Sequence, residues 1–123
     1  MEHLITAMLL VVAAIHLLPL PGLRGGKALS ALYGVPVDEP NLAILMRHRA
    51  VLFGLLGAFI AVASFRPELQ PMAFVGGYVS VLSFLALAFR IGGYNARIRR
   101  VVLADLAALA CLVVGSAARL LAP

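Results

Sequence analysis

The sequence predicts an all-α integral membrane protein: one domain, residues 1–123, in which four transmembrane helices form a bundle with both termini on the non-cytoplasmic side. Three observations carry this expectation. The chain is 63% hydrophobic and 12% charged, with a mean hydropathy of +1.07. A soluble domain has roughly 45–50% apolar and about 25% charged residues. The apolar residues also fall into four long runs, and the basic residues are distributed unevenly between the two ends of those runs.

The runs cover about residues 4–20, 41–65, 72–89 and 101–121. Each has about 17–25 residues, the length that a helix needs to cross a hydrocarbon core roughly 30 Å thick. Backbone polar groups cannot be left unpaired in lipid, so a span is either a helix or a strand of a closed barrel. The runs lack the period-two alternation of a barrel, which leaves helices.

The first run opens "MEHLITAMLLVVAAIHLLPLPG". It has the length of a signal peptide but neither a basic leading segment nor a small-x-small cleavage site, so it reads as a retained helix. The following connection, "PGLRGGKALSALYGVPVDEP", carries proline and glycine at both ends, with "KALSALY" as a short interfacial helix. "GLRGGKA" lacks the spacing, the Ser or Thr after Lys27 and the preceding strand of a phosphate-binding loop. "DEPN" signals the start of the second span through an acidic residue before a first-turn proline. The second and third spans are joined by a tight hairpin, "RPELQP".

Eight of the ten basic residues lie at one side of the spans: Arg24, Lys27, Arg47, Arg49, Arg90, Arg97, Arg99 and Arg100. Arg66 and Arg119 lie at the other. The positive-inside rule then places the first and third connections in the cytoplasm. The same distribution accounts for the net charge of +5 without a nucleic-acid partner, because the charges interrupt apolar runs and do not form a soluble basic face. Cys111 is the single cysteine, which excludes internal disulfides, CxxC redox chemistry and cysteine-rich metal sites. It reads as a small buried residue.

Membrane helices pack through small residues, which orients each span at 100° per residue. On the first, His16 shares a face with Ile5, Leu9, Val12 and Ala13. On the second, Ala50, Gly54, Gly57, Ala58 and Ala61 form the packing face, with Arg47 near its edge, Arg49 more lateral and His48 nearly opposite. On the third, Gly76, Ser80 and Ser83 line up, with Arg90 continuing the row. On the fourth, Asp105 lies with Ala108, Leu112, Gly115 and Ser116. His16, Arg47, Arg49, Arg90 and Asp105 all fall near the cytoplasmic end, with Tyr94 and Asn95 in the connection beside them. Asp105 is the costly residue, at about 2.5–3.5 kcal/mol for a carboxylate within a span. Its natural partner is Arg47 or Arg49.

These residues define the expected site. Arg47, Arg49, Arg90, Tyr94 and Asn95 are candidates for holding the acidic head of a lipid or small amphiphile, since guanidinium forks match carboxylate and phosphate. Arg47 and Arg49 also fit a plainer role as interfacial, topology-setting cations, and Asp105 fits a structural ion pair. The alternative is a membrane-embedded enzyme, an isomerase or hydrolytic type, with His16 and Asp105 as acid and base. A haem-dependent form of that enzyme and a ligand-free accessory subunit complete the alternatives. The spacing of His16, His48 and Asp105 does not bring them together as metal ligands, and no cofactor is indicated. Self-association through glycine-lined faces is expected.

The order "ALYGV", "RHRAVLFGLLG", a short hairpin and "GGYNARIRRVVLADL" resembles a group of small uncharacterised bacterial four-helix membrane proteins, broadly DoxX-like. The resemblance covers most of the chain in layout. It implies a multi-pass protein of the bacterial inner membrane and supplies no catalytic residues.

Overall fold

The computed structural model describes residues 1–36 and 39–122. Among these, the helices are α1 (Glu2–Leu17), α2 (Gly26–Tyr33), α3 (Pro40–Ala63), α4 (Gln70–Ile91) and α5 (Ala96–Leu121), with 3₁₀ turns at Leu20–Arg24 and Pro67–Leu69. Four stretches among the described residues are long and apolar enough to cross a membrane: Glu2–Arg24, Pro40–Ala63, Pro67–Ile91 and Ala96–Leu121. Only 17–33% of each apolar stretch is buried inside the bundle, so most of the hydrophobic surface faces outward. The architecture is an all-α bundle of four long apolar helices, as expected for a multi-pass membrane protein.

Local chemistry fixes the helix ends. Glu39 caps α3, its carboxylate accepting from the amides of Asn41 (3.1 Å) and Leu42 (2.9 Å), with Pro40 in the first turn. Asp38, the other acidic residue of that start signal, lies outside the described residues. Asn95 caps α5 by accepting from the Ile98 amide at 2.8 Å. Gly92 and Gly93 adopt φ +68° and +69° after α4, and Gly34 adopts φ +69° after α2. This left-handed backbone is the region where glycine is cheapest.

The four long helices form a ring in the order α1, α3, α4, α5, with α1 packed closely on both α3 and α5. α4 packs on α5 and meets α3 less extensively. The buried faces of α1 and α5 are the expected ones: Ile5, Leu9, Val12, Ala13 and His16 on the first, Ala108, Leu112 and Gly115 on the second. α3 approaches α1 through glycine. A methyl group at Gly57 would lie 2.9 Å from Leu17 and 3.2 Å from the Ala13 carbonyl oxygen. α4 departs from the expected row. It buries Phe74, Gly77, Val81 and Leu85, while Ser83 and Arg90 are exposed. Phe74 fits over Gly115, and Leu112 over Gly77, so large residues fill hollows left by glycine on the facing helix.

A polar lock closes the end of the bundle that carries both termini. Thr6 and Gln70 donate to the Ser64 carbonyl at 2.8 and 3.4 Å, and Arg119 donates to Gln70 at 2.8 Å. This level sets a ruler. At about 1.5 Å per residue, His16 and Ser80 lie about 15 Å below the lock, and Arg49, Phe84 and Asp105 about 21 Å below it.

Candidate functional site

A cavity of about 270 Å³ occupies the opposite end of the bundle. Residues from every helix line it: Ile15 and His16 from α1, Leu32 and Tyr33 from α2, Arg49 and Phe53 from α3, Phe84 from α4, and Arg97, Arg100, Ala104 and Asp105 from α5. Its walls are largely aliphatic and aromatic, with a few converging polar groups, the general form of a small-molecule site.

His16 forms part of the floor and is 2% exposed. Its Nδ1 lies 2.9 Å from the Val12 carbonyl oxygen, and its Nε2 lies 2.8 Å from Ser80 Oγ. A carbonyl only accepts, so Nδ1 carries the proton and the Ser80 hydroxyl donates to Nε2. The imidazole thus ties α1 to α4 across the diagonal of the ring, with both nitrogens occupied. Its ring also packs on Phe53, centroids 5.7 Å apart.

Arg49 projects into the wall. It donates to the Tyr33 hydroxyl at 2.6 Å, and its guanidinium carbon lies 4.5 Å from the Phe53 ring centroid and 5.4 Å from that of Tyr33. These contacts hold the cation by ring faces and a hydroxyl. The expected ion pair with Asp105 is absent: among the described residues the salt bridge within 4.0 Å is Arg66–Glu68, an exposed pair at the other end. The physical reason is that Tyr33 and Phe53 give the guanidinium a nearer seat. Asp105 is half-buried and makes no side-chain hydrogen bond among the described residues. No buried side-chain oxygen there lacks a partner, so the carboxylate oxygens are open to the cavity.

Arg97 and Arg100, one helical turn apart on α5, form the exposed rim. Arg97 also donates to the Ala31 carbonyl, and Asn95 donates to the Tyr33 carbonyl at 2.8 Å. Both bonds fasten the end of α2 to the start of α5, so α2 forms one wall of the cavity and Tyr33 is brought to Arg49. Three guanidinium groups and one carboxylate therefore line one small, mostly apolar space.

The structure brings His16, Arg49 and Asp105 together at this cavity. Tyr94 lies outside it, on a neighbouring groove that Arg49 also lines. Asn95 is a cap and a brace for α2. Arg47 turns away and donates to the Leu23 carbonyl at 2.9 Å; Arg90 is exposed on the last turn of α4. Arg97, Arg100 and Tyr33 join the site, although the sequence presents the first two as part of a juxtamembrane basic patch. The available signal was their spacing: Arg97, Arg100 and Ala104 recur at i, i+3 and i+7, one stripe of α5 that runs up to Asp105. Among the described residues no group of three or more His, Cys, Asp or Glu side chains could hold a metal ion. No family model, curated protein or solved structure matches the chain.

Proposed function

We propose that this chain is a bacterial inner-membrane protein that binds a lipid or small amphiphile by its acidic head, in the cavity that all five helices line. The observation that carries the reading is the charge imbalance there: Arg49, Arg97 and Arg100 against Asp105 alone, around a mostly apolar space. Charge at the low-dielectric end of a span is costly unless compensated. An anionic head between Arg49 and Arg100 offsets it, and guanidinium forks match carboxylate or phosphate oxygens.

The distribution of basic residues supports a cytoplasmic position for this end, with both termini outside. The head would then sit at the inner leaflet, where anionic lipids concentrate near basic side chains. The DoxX-like layout of "RHRAVLFGLLG" and "GGYNARIRRVVLADL" fits the same setting. The glycine-rich helices and the outward apolar surface suit a homo-oligomer.

The enzymatic alternative has weaker support. Asp105 and His16 line one cavity, but both nitrogens of His16 are engaged by Val12 and Ser80, so it has no free site for proton exchange with a substrate.

The test is native mass spectrometry of gently purified protein, with Arg49→Gln and Asp105→Asn beside the wild type. Wild type should carry an acidic small molecule that Arg49→Gln loses while remaining folded. Asp105→Asn, which removes the opposing charge, should retain it or bind it more tightly. A ligand-free wild type, with both variants merely unstable, would overturn the proposal and leave a structural cluster.

A further inference from the structure

An acidic head satisfies the arginines of the cavity but not Asp105. This carboxylate is half-buried on the cavity lining and has no hydrogen-bond or salt-bridge partner among the described residues. The other polar side chains of the lining are donors or are already engaged. Arg49, Arg97 and Arg100 only donate. The Tyr33 hydroxyl accepts from Arg49 and keeps its own hydrogen to give. Both nitrogens of His16 are occupied by Val12 and Ser80. An ionised carboxylate only accepts, so Asp105 is the place on this lining where a bound molecule must supply a donor.

We infer that the acidic head also carries an uncharged hydroxyl, which donates to Asp105 while the acidic group sits between Arg49 and Arg100. This rests on the binding reading above and narrows its ligand class to hydroxylated anions, of which a glycerol phosphate head is the simplest.

Charge decides between the possible donors. Three guanidinium groups and one carboxylate give the cavity a net charge of about +2. A head with an ammonium beside its phosphodiester is neutral as a whole and leaves that excess in place. It also sets a third kind of cation among the arginines. A hydroxyl meets the carboxylate without adding charge, so a glycerol phosphodiester lowers the excess and satisfies Asp105 together. A simple acid lowers the excess but leaves the carboxylate unpaired in a mostly apolar space, which is costly.

Depth agrees with this order of groups. Arg97 and Arg100 are exposed at the rim, and Asp105 lies five residues further along α5, about 7.5 Å deeper. Arg49 is held at the inner level by the Phe53 and Tyr33 rings. The acidic group therefore meets cations from the rim inward, and a hydroxyl a few bonds beyond it meets Asp105. The cavity of about 270 Å³ falls just below the usual range for small-molecule sites, about 300–1,000 Å³. It suits a compact head and not a pair of acyl chains.

The test compares matched probes on the full chain in phosphatidylcholine nanodiscs, whose own head offers no hydroxyl. Phosphatidylglycerol is set against phosphatidylmethanol, a phosphodiester of equal charge without the hydroxyls, and against phosphatidylethanolamine. Glycerol phosphate is set against propyl phosphate and ethanolamine phosphate at pH 8, above the second phosphate pKa of about 6. Native mass spectrometry reads the lipid arm and calorimetry the free arm. The glycerol member of a pair should bind about tenfold or more tightly than its hydroxyl-free partner, because that partner leaves Asp105 unpaired. Asp105→Leu should abolish the preference and keep the anion, whereas Asp105→Asn, which retains an accepting oxygen, should keep part of it. A preference in the lipid arm alone supports the contact and assigns the site to a membrane lipid; one in the free arm alone supports it and assigns the site to a soluble phosphate ester. The wild-type pairs need no variant to fold. Equal binding within both pairs would overturn the hydroxyl contact and leave the acidic-head reading intact. Preference for the ethanolamine members, or a glycerol preference that persists in folded Asp105→Leu, would do the same. No binding of any anionic probe to the wild type would overturn both.

Discussion

Replacing Arg49 with methionine separates binding from scaffolding. The guanidinium makes a 2.6 Å hydrogen bond to the Tyr33 hydroxyl and lies over the rings of Phe53 and Tyr33. Losing a hydrogen bond from a charged group costs about 1.5–3 kcal/mol, and losing the ring contacts costs about 0.5–1 kcal/mol each. Against this, the variant no longer holds a cation within the span, a penalty of up to about 2.5–3.5 kcal/mol at mid-membrane and less near the interface. Methionine also retains most of the apolar stem. The two sides nearly cancel, leaving a net destabilisation of about 0–2 kcal/mol. Had Arg49 been the buried partner of Asp105, its removal would strand a carboxylate at about 3–5 kcal/mol. The assay is reversible unfolding in mixed micelles by far-ultraviolet circular dichroism, with dodecyl phosphate binding measured on the same preparation. Stability within about 2 kcal/mol of wild type, with binding weakened about tenfold or more, is expected. A loss of about 3–5 kcal/mol with binding unchanged would refute the reasoning and make Arg49 a structural ion-pair residue.

Three further predictions concern the frame that positions the site. Gly57→Leu drives a side chain into Leu17 and the Ala13 carbonyl; overpacking of this kind costs about 1–3 kcal/mol, visible in the same unfolding assay, and a neutral result would show that α1 and α3 are not in close contact. Asn95→Ala removes the cap on Ile98 and the brace to the Tyr33 carbonyl. It should cost about 1 kcal/mol and raise amide exchange throughout α2, whereas an effect confined to the first turn of α5 would deny the brace. The Glu39 carboxylate is held below its ordinary value by the Leu42 and Asn41 amides. Its capping contribution is therefore complete above the ordinary carboxylate range and is lost as the pH falls through the lower folded-state value. Protection factors of the first α3 amides should fall across that acidic window and should become less sensitive to pH in Glu39→Gln; no difference between the two proteins would remove Glu39 as the cap.

Much of this architecture was legible because a membrane imposes simple constraints. Run length, hydropathy and caps place the long helices, and the 100° period turns Leu9, Val12 and His16 on α1, and Ala108 and Leu112 on α5, to the interior. α4 was harder to orient. The small-residue rule selects Gly76, Ser80 and Ser83, whereas Phe74 and Leu85 pack inward, Phe74 over the hollow left by Gly115. The same limit affected the arginines. Angular position on α3 favours Arg47 over Arg49, but the path of the first connection reverses the order: the 3₁₀ turn offers the Leu23 carbonyl to Arg47, and α2 offers Tyr33 to Arg49. Hydropathy does not record where a connecting segment crosses a bundle. Arg97 and Arg100 were hidden for a related reason, since a residue that marks topology and one that lines a cavity rim have the same composition.

The decisive measurement is a high-resolution structure of the protein extracted in its own lipid, read at the space between Arg49, Arg100 and Asp105. An acidic head in contact with Arg49 and Arg100 is the expected result. Arg49 swung across to pair with Asp105, in a collapsed or water-filled cavity, would contradict it.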